Sequence, residues 1–554
     1  MMKKTVFLLS MLLVAATLSA REVERVYVST DRTVYVSGDD VWVSLFVCDL
    51  SGRPSTFSAV AYLELLSPSG AAVEAKISLL DGRGAGIFRL PSSIPTGTYR
   101  LSAYTALNTS ETTDAWRIGD RFISVFNISS KARLDSLVVL TPEEEYRAEA
   151  RSSSSQGKVM LSAKREVSPG EKLVISLLNQ GADADVSLSV YHDDGIATPS
   201  QEHDIASFVS SLGSSAPVYG PSGRLPEYDG EIIKATVIGR SNKDDEASLS
   251  TAGEPSNIYI GRNDGAGNYL FQTNNIYGER EIVCELSSTL QDDASLRIES
   301  PFIHPSALSL PSLQLSEAIR SDLTLRKRAL AAESAARPDT LVEFMPYRRD
   351  LILGGGEKIH YHLDDYVRFP SVIETIVEIV PSLQLKKSKG EWKLTMIAQD
   401  ATGFRRYKTE NLLVLMDGVI LSDISHIVSF DAMLLEDIDI YDRTVVFGRT
   451  AYRGAVNFVT KKNYVTVLDF PSNVTVTDFH GVSYPVAYRG GAAPGSGHDL
   501  RQLLYWDPVM KMASGKDTSI EIKAPSYKGQ FRVVAEGLAS DGSPIFREAW
   551  FEVR

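Results

Sequence analysis

Between Val23 and Val125 the chain alternates apolar and polar residues with a period of two, and that pattern leaves little choice of fold. Val26-Tyr27-Val28, Val41 to Val47, Ala61 to Leu65, Ile87 to Leu90 and Tyr99 to Tyr104 each put every second side chain on one face, and Gly, Pro and Asp clusters separate them. Short half-buried strands at this spacing predict an antiparallel β-sandwich. The pattern returns downstream in Val159 to Ala163, Leu173 to Leu177 and Val186 to Tyr191, and near the C-terminus in Thr518 to Ile522, Gln530 to Glu536 and Ala549 to Val553. The expected fold class is mainly β: several antiparallel sandwiches in series plus one small α/β domain.

Composition narrows the function classes. With 57 basic against 70 acidic residues the formal charge is −13. No basic surplus exists to displace counterions from a phosphate backbone, so nucleic acid is excluded as a partner. Met1 to Ala20 carries Lys3 and Lys4, an apolar core from Val6 to Val14 and small residues up to Ala20, the pattern of a secretory signal peptide. No later apolar run is long enough to span a bilayer, so no transmembrane segment is expected in the mature chain. Cys48 and Cys284 are the two cysteines, too few for a disulfide framework. The expectation is two buried thiols on strands, with a pairing between them left open.

The domain reading runs as follows: residues 1–20 signal peptide, 21–130 a first sandwich, 156–224 a second sandwich with a long loop, and 225–300 a third. A connecting helix at 310–338, an α/β domain at 345–463 and a C-terminal sandwich portion at 498–554 complete it. The helix is predicted from Leu315, Ile319, Leu323 and Leu330, with Ser316 as its cap and Arg326-Lys327-Arg328 on its solvated side. In the α/β domain, Ser371 to Val380 reads as an amphipathic helix ending at Pro381. Leu412 to Met416, Asp417-Gly418 and Val419 to Leu421 read as a tight hairpin. Asp431 to Asp437 reads as a short helix with acidic residues in its first turn, and Ala455 to Thr460 as a closing strand.

Two family resemblances follow from quotable stretches. DRTVYVSGDDVWV (Asp31 to Val43) and GAGIFRLPSSIPTGTYRLSAYT (Gly84 to Thr105) resemble the macroglobulin-type sandwich of the α2-macroglobulin family, and LYWDP (Leu504 to Pro508) repeats the likeness. Gly38 and Asp39 would turn the chain, and Trp42 is expected to bury its ring between the sheets. The family's thioester needs a Cys-Gly-Glu-Gln segment, but Asp49 follows Cys48 and Glu285 follows Cys284, so covalent protease trapping is excluded. LVLMDGV, LLEDIDIY and YRGAVNFVT, in that order within residues 350–462, resemble the plug domain of TonB-dependent outer-membrane receptors. Too few residues follow Lys462 for that family's barrel of about 22 strands, so the resemblance implies a plug fold without its pore. GRNDGAGNYLF (Gly261 to Phe271) is similar to a hairpin of carboxypeptidase-regulatory-like sandwiches.

Candidate chemistry is sparse. His360 and His362 share one face of a strand at metal-ligand spacing, but no cysteine or third histidine lies near them in sequence, so no metal is assigned. Asn263, Asp264 and Asn268 offer oxygens on a glycine loop, a pattern better suited to a turn needing Gly265 and Gly267 than to calcium. His192-Asp193-Asp194 reads as a hairpin tip, and Asp417-Gly418 as a folding element. No Gly-x-Ser-x-Gly elbow, His-Glu-x-x-His helix or phosphate loop occurs. No catalytic, cofactor-binding or metal residue is assigned, and no enzymatic activity is expected.

The expected protein is an exported, non-enzymatic binding or assembly scaffold of a Gram-negative envelope, in the periplasm or at the periplasmic face of the outer membrane. Its partner is another envelope protein, an outer-membrane barrel being one candidate. The alternatives are an accessory plug-like subunit of a TonB-dependent transporter, and a thioester-less macroglobulin-like protein that engages proteases.

Overall fold

The computed structural model describes residues 23–111, 114–134, 137–146, 155–199, 201, 204–213, 225–240, 242, 245–253, 256–274, 276–287, 294–304, 309–336, 342–344, 357–399, 406–448, 450–488 and 498–554. The signal-peptide reading of residues 1–20 lies outside them. The chain is mainly β and divides into two compact units, one of residues 1–228, 302–346 and 483–554, the other of residues 229–301 and 347–482. No helix among the described residues is long and apolar enough to cross a membrane.

The first unit opens with the sandwich that the alternation predicts. Arg25–Thr30, Asp40–Cys48 and Arg83–Arg89 form one layer, and Val60–Ser67, Gly97–Tyr104, Arg121–Phe126 and Val34–Val36 the other. The long strand Gly70–Leu80 joins them. Every second residue of Asp40–Cys48, namely Val41, Val43, Leu45 and Val47, meets Leu63, Leu65, Leu101, Ile123 and Val125 in the core. Period two thus sets which face is buried.

Trp42 departs from expectation. It lies on the opposite face of its strand from Val41 and Val43, so its ring leaves the sandwich and packs with Tyr488 and Trp506, ring centroids 5.5 Å and 5.4 Å away. The next outward residues follow it, Ser44 donating to the Pro508 carbonyl at 2.6 Å and Phe46 and Cys48 joining Phe208 and Leu538. Both faces of this strand are buried because a second sandwich covers the outer one.

That second sandwich is assembled from segments far apart in sequence. Its smaller sheet orders Val159–Ala163, Lys172–Asn179 and Asp517–Lys523. Its larger sheet runs Glu166–Val167, Pro544–Val553, Gly529–Ala539, Ala184–His192, Leu503–Met512, Val486–Tyr488 and Val342–Phe344. Residues 156–224 and 498–554, read as separate domains from the sequence, therefore share two sheets and one core, with Ile175, Leu188, Phe531, Val533 and Phe551 packed together. Alternation reports which face a strand buries but not which strand it pairs with, and this is why the sequence reading separated them.

The turn after Arg25–Thr30 fixes the first sandwich electrostatically. The Asp31 carboxylate accepts from Tyr35 Oη at 2.7 Å and Trp42 N at 3.0 Å, while Arg32 reaches Asp39 at 3.2 Å and Gly38 takes φ +89°. Burial pushes Asp31 up to about 6 from the ordinary 3.8, with Arg32 and the hydrogen bonds pulling the other way. The fold thus favours the protonated acid. Its contribution to stability is largest below the unfolded value and is lost as pH rises through about 6. Urea unfolding should show wild type gaining ~2 kcal/mol relative to Asp31→Asn between pH 7 and pH 4. Parallel pH profiles for the two proteins would contradict this assignment.

Leu313–Leu315, a single 3-10 turn at Glu317–Ile319 and the helix Arg320–Ala336 replace the one continuous helix expected, and Ser316 caps the 3-10 turn. Ile319, Leu323 and Leu330 pack on Val34, Val36 and Phe126. Arg326 corrects the solvated-cluster reading: it is 5% exposed, donates to the Val34 carbonyl at 2.7 Å and pairs with Asp194 at 2.6 Å, whereas Lys327 and Arg328 are exposed.

The second unit holds a seven-stranded sheet, ordered Ser295–Ile298, Ile232–Ile238, Asn268–Gln272, Ile258–Asn263, Glu246–Thr251, Glu279–Ser287 and Val474–His480. Its last strand comes from a span that shows no clear domain signal in the sequence. Beside it lies a mixed sheet ordered Ile359–His362, Leu435–Tyr441, Ala455–Thr460, Leu413–Met416 and Val419–Ile420. In it Leu413–Met416 runs parallel to Ala455–Thr460. The helix Val372–Ile379 starts at Ser371, an N-cap whose Oγ accepts from Glu374 N at 3.2 Å and donates to the Glu374 carboxylate at 2.8 Å. Val372, Ile376 and Ile379 pack on Ile438, Ile440 and Phe458.

The expected helix at Asp431 to Asp437 is confined to one 3-10 turn, Ala432–Leu434, capped by Asp431, and Leu435–Tyr441 is a strand. Leu435, Ile438 and Ile440 are fully buried against the sheet's core, and that alternating burial outweighs the acidic helix-start signal.

Candidate functional site

The strand Leu435–Tyr441 carries one member of the one cluster of candidate ligands found among the described residues. Ile359–His362 is the edge strand of the mixed sheet and pairs antiparallel with Leu435–Tyr441, placing His360 opposite Asp439 and His362 opposite Asp437. Ile438 and Ile440 point into the core, so alternation sends Asp437 and Asp439 to the outer face with the two histidines. His360 Nδ1 lies 2.7 Å from Asp439 Oδ1, and His362 Nδ1 lies 2.7 Å from Asp437 Oδ1. His360 Nε2 stands 3.7 Å from the same Asp437 oxygen, and Lys358 Nζ donates to Asp439 Oδ2 at 2.7 Å.

Asp439 is 4% exposed, whereas the imidazoles reach solvent. The hydrogen bond to Asp437 raises the pKa of His362 above its ordinary value, aided by the charges of Asp437, Asp365 and Asp364 and opposed by slight desolvation. Ligand atoms of His360, His362 and Asp437 all fall within 4.8 Å of one another. The sequence pointed to the two histidines but missed Asp437, because a helix reading of LLEDIDIY takes the acids off the sheet. The outward acids of that alternating run were the available signal.

The other candidates resolve as structure. Asn263 Oδ1 and Asp264 Oδ1 accept from Gly265 N and Ala266 N at 2.8 and 2.7 Å, and Asp264 also holds Asn268 N, so these oxygens close the hairpin. Gly265 and Gly267 have φ of +80° and +90°. The His192-Asp193-Asp194 side chains diverge: His192 is buried beside Gln502, Tyr527 and Phe531, Asp193 accepts from Trp550 Nε1 at 3.0 Å, and Asp194 pairs with Arg326. Burial lowers the pKa of His192. Asp417, at φ +48° in the hairpin turn, accepts from Thr460 N at 2.6 Å, Thr460 Oγ1 at 2.7 Å and Val465 N at 3.2 Å. Its carboxylate ties the turn to the end of the closing strand.

Cys48 and Cys284 are free and buried, and burial pushes both thiols up to about 12. Neither offers a thiolate near neutral pH.

No curated protein matches the sequence. Among solved structures, the trypsin-activated alpha-2-macroglobulin from Escherichia coli aligns with 96% of this chain and 41% of its own at 9% identity and a TM-score of 0.24. The Salmonella alpha-2-macroglobulin reacted with methylamine aligns with 96% and 40% at 10% identity and a TM-score of 0.23. The chain thus spans about two fifths of the length of these structures. Residues 25–117, which hold every strand of the first sandwich except Arg121–Phe126, match the MG2 domain family, so the chain carries a macroglobulin-type MG2 domain.

Proposed function

We propose that this chain is an exported, non-enzymatic binding and assembly scaffold of the cell envelope, working in the periplasm or at the periplasmic face of the outer membrane beside a transport complex. The observation that carries the reading is the MG2 domain of residues 25–117. It sits in a β-rich chain whose two thiols are buried and are followed by Asp49 and Glu285, which suits non-covalent contact. Exposed sheet edges such as Ile359–His362 suit strand addition by a partner.

A second reading, an accessory plug-like subunit of a TonB-dependent transporter, is favoured by the order of elements in the mixed sheet. The Asp417-Gly418 hairpin, the strand Leu435–Tyr441 and the strand Ala455–Thr460 follow one another as in the plug-domain resemblance.

Envelope fractionation against an outer-membrane marker, followed by pull-down from solubilised envelopes, tests both. The scaffold reading expects the chain in the envelope fraction with one envelope protein in stoichiometric amount, and the plug-like reading expects that protein to be a barrel. Recovery of the chain alone in the free periplasmic extract would remove both.

A further inference from the structure

We propose that the outer face of the strand pair Ile359–His362 and Leu435–Tyr441 is a site for a divalent transition-metal ion of the zinc, nickel or copper class. His360, His362 and Asp437 are its ligands, and Asp439 is a positioning residue. This goes beyond the scaffold reading and stands independently of it.

Geometry carries the assignment. An ion bound at about 2.0–2.1 Å to two imidazole nitrogens and a carboxylate oxygen needs its ligand atoms about 3–3.5 Å apart. The pairs here stand at 2.7 Å for His362 Nδ1 and 3.7 Å for His360 Nε2, both measured to Asp437 Oδ1. Small side-chain rotations close the difference, and the ion takes the place of the hydrogen that His362 shares with Asp437.

The supporting shell is the second observation. An ionised carboxylate only accepts, so Asp439 against His360 Nδ1 places the proton on that nitrogen and leaves the Nε2 lone pair directed to the Asp437 side. This is the carboxylate–histidine arrangement that orients metal-binding imidazoles. Lys358 donates to the other Asp439 oxygen and holds that carboxylate in place. A plain ladder of cross-strand ion pairs needs neither the buried second carboxylate nor the approach of His360 to its neighbour's partner.

The donor set decides the ion. Two nitrogens and one oxygen suit borderline cations and not calcium or magnesium, which take oxygen shells. The face is open to solvent, so the remaining coordination positions take water.

The test is titration calorimetry of the intact, tag-free chain, stripped with chelator, against zinc, nickel and calcium. One zinc or nickel ion per chain is expected, with no calcium heat. His362→Gln and Asp437→Asn should abolish the transition, and Asp439→Asn should weaken it ~10–100-fold. Cobalt substitution should give visible d–d absorption in wild type and lose it in His362→Gln. Unchanged far-ultraviolet circular dichroism checks the fold of each variant. Absence of zinc and nickel binding to wild type, or binding that survives unchanged in a folded His360→Gln/His362→Gln double variant, would overturn the proposal.

Discussion

Replacing Trp506 by alanine is expected to destabilise the first unit by ~3–5 kcal/mol. Trp506 is fully buried and stands 5.4 Å from Trp42 between ring centroids, in a cluster with Ala85, Val486, Tyr488 and Leu503. Trp42 comes from the MG2 sandwich and Trp506 from the second sandwich. The cavity therefore opens where the two meet, with walls held by separate sheets that cannot collapse together. Urea unfolding should show the loss as a lower midpoint at unchanged slope. A change below ~1 kcal/mol, the range of ordinary surface substitutions, would mean the two sandwiches do not depend on this contact.

A comparable loss is expected from Glu536→Ala. Glu536 is 3% exposed in the second sandwich, and its carboxylate accepts from Ser29 Oγ at 2.5 Å, Tyr27 Oη at 3.2 Å and Arg121 Nη1 at 3.1 Å, all from the first sandwich. Burial, followed by the Glu536 charge, raises the Tyr27 phenol well above its usual range, so Tyr27 stays a donor at any ordinary pH. Truncating Glu536 strands the Arg121 guanidinium without its counter-charge, and breaking one side of a buried pair costs ~3–5 kcal/mol. Glu536→Leu combined with Arg121→Met should cost less than Glu536→Ala alone, because the double change leaves no orphaned charge. A double-variant loss equal to the sum of the two single-variant losses would show that the pair is not coupled.

These two contacts also show how far the sequence could be read. Alternation in Asp40–Cys48 assigned Val41 to Val47 to a sandwich core correctly, yet the same period put Trp42 on the other face, where only a partner sheet could bury it. Knowing that the partner exists requires pairing Ala184–His192 with Leu503–Met512 and Gly529–Ala539. No local pattern encodes that pairing. The Asp417-Gly418 hairpin was legible because turn chemistry acts within a few residues.

The candidate metal face was half legible for the same reason. His360 and His362 are two apart on one strand, whereas Asp437 joins them across a ladder, 75 residues away from His362 in sequence. Arg326 illustrates the opposite error. A basic run on a helix reads as solvated until Asp194, 132 residues away, supplies a buried counter-charge.

What the architecture asserts above all is that the C-terminal strands close a sandwich begun more than three hundred residues earlier. Ser176 and Ser519 are cross-strand partners in the smaller sheet, outside its buried core, and such pairs stand at a separation a disulfide can bridge. Cys48 and Cys284, buried as free thiols, do not compete. The decisive measurement is oxidation of the Ser176→Cys/Ser519→Cys chain followed by peptide mapping. The account predicts one disulfide-linked peptide joining the two positions, absent when Ser519→Cys is replaced by Lys528→Cys. Failure of the first pair to link while the folded protein is intact, or equal linking of both pairs, would contradict it.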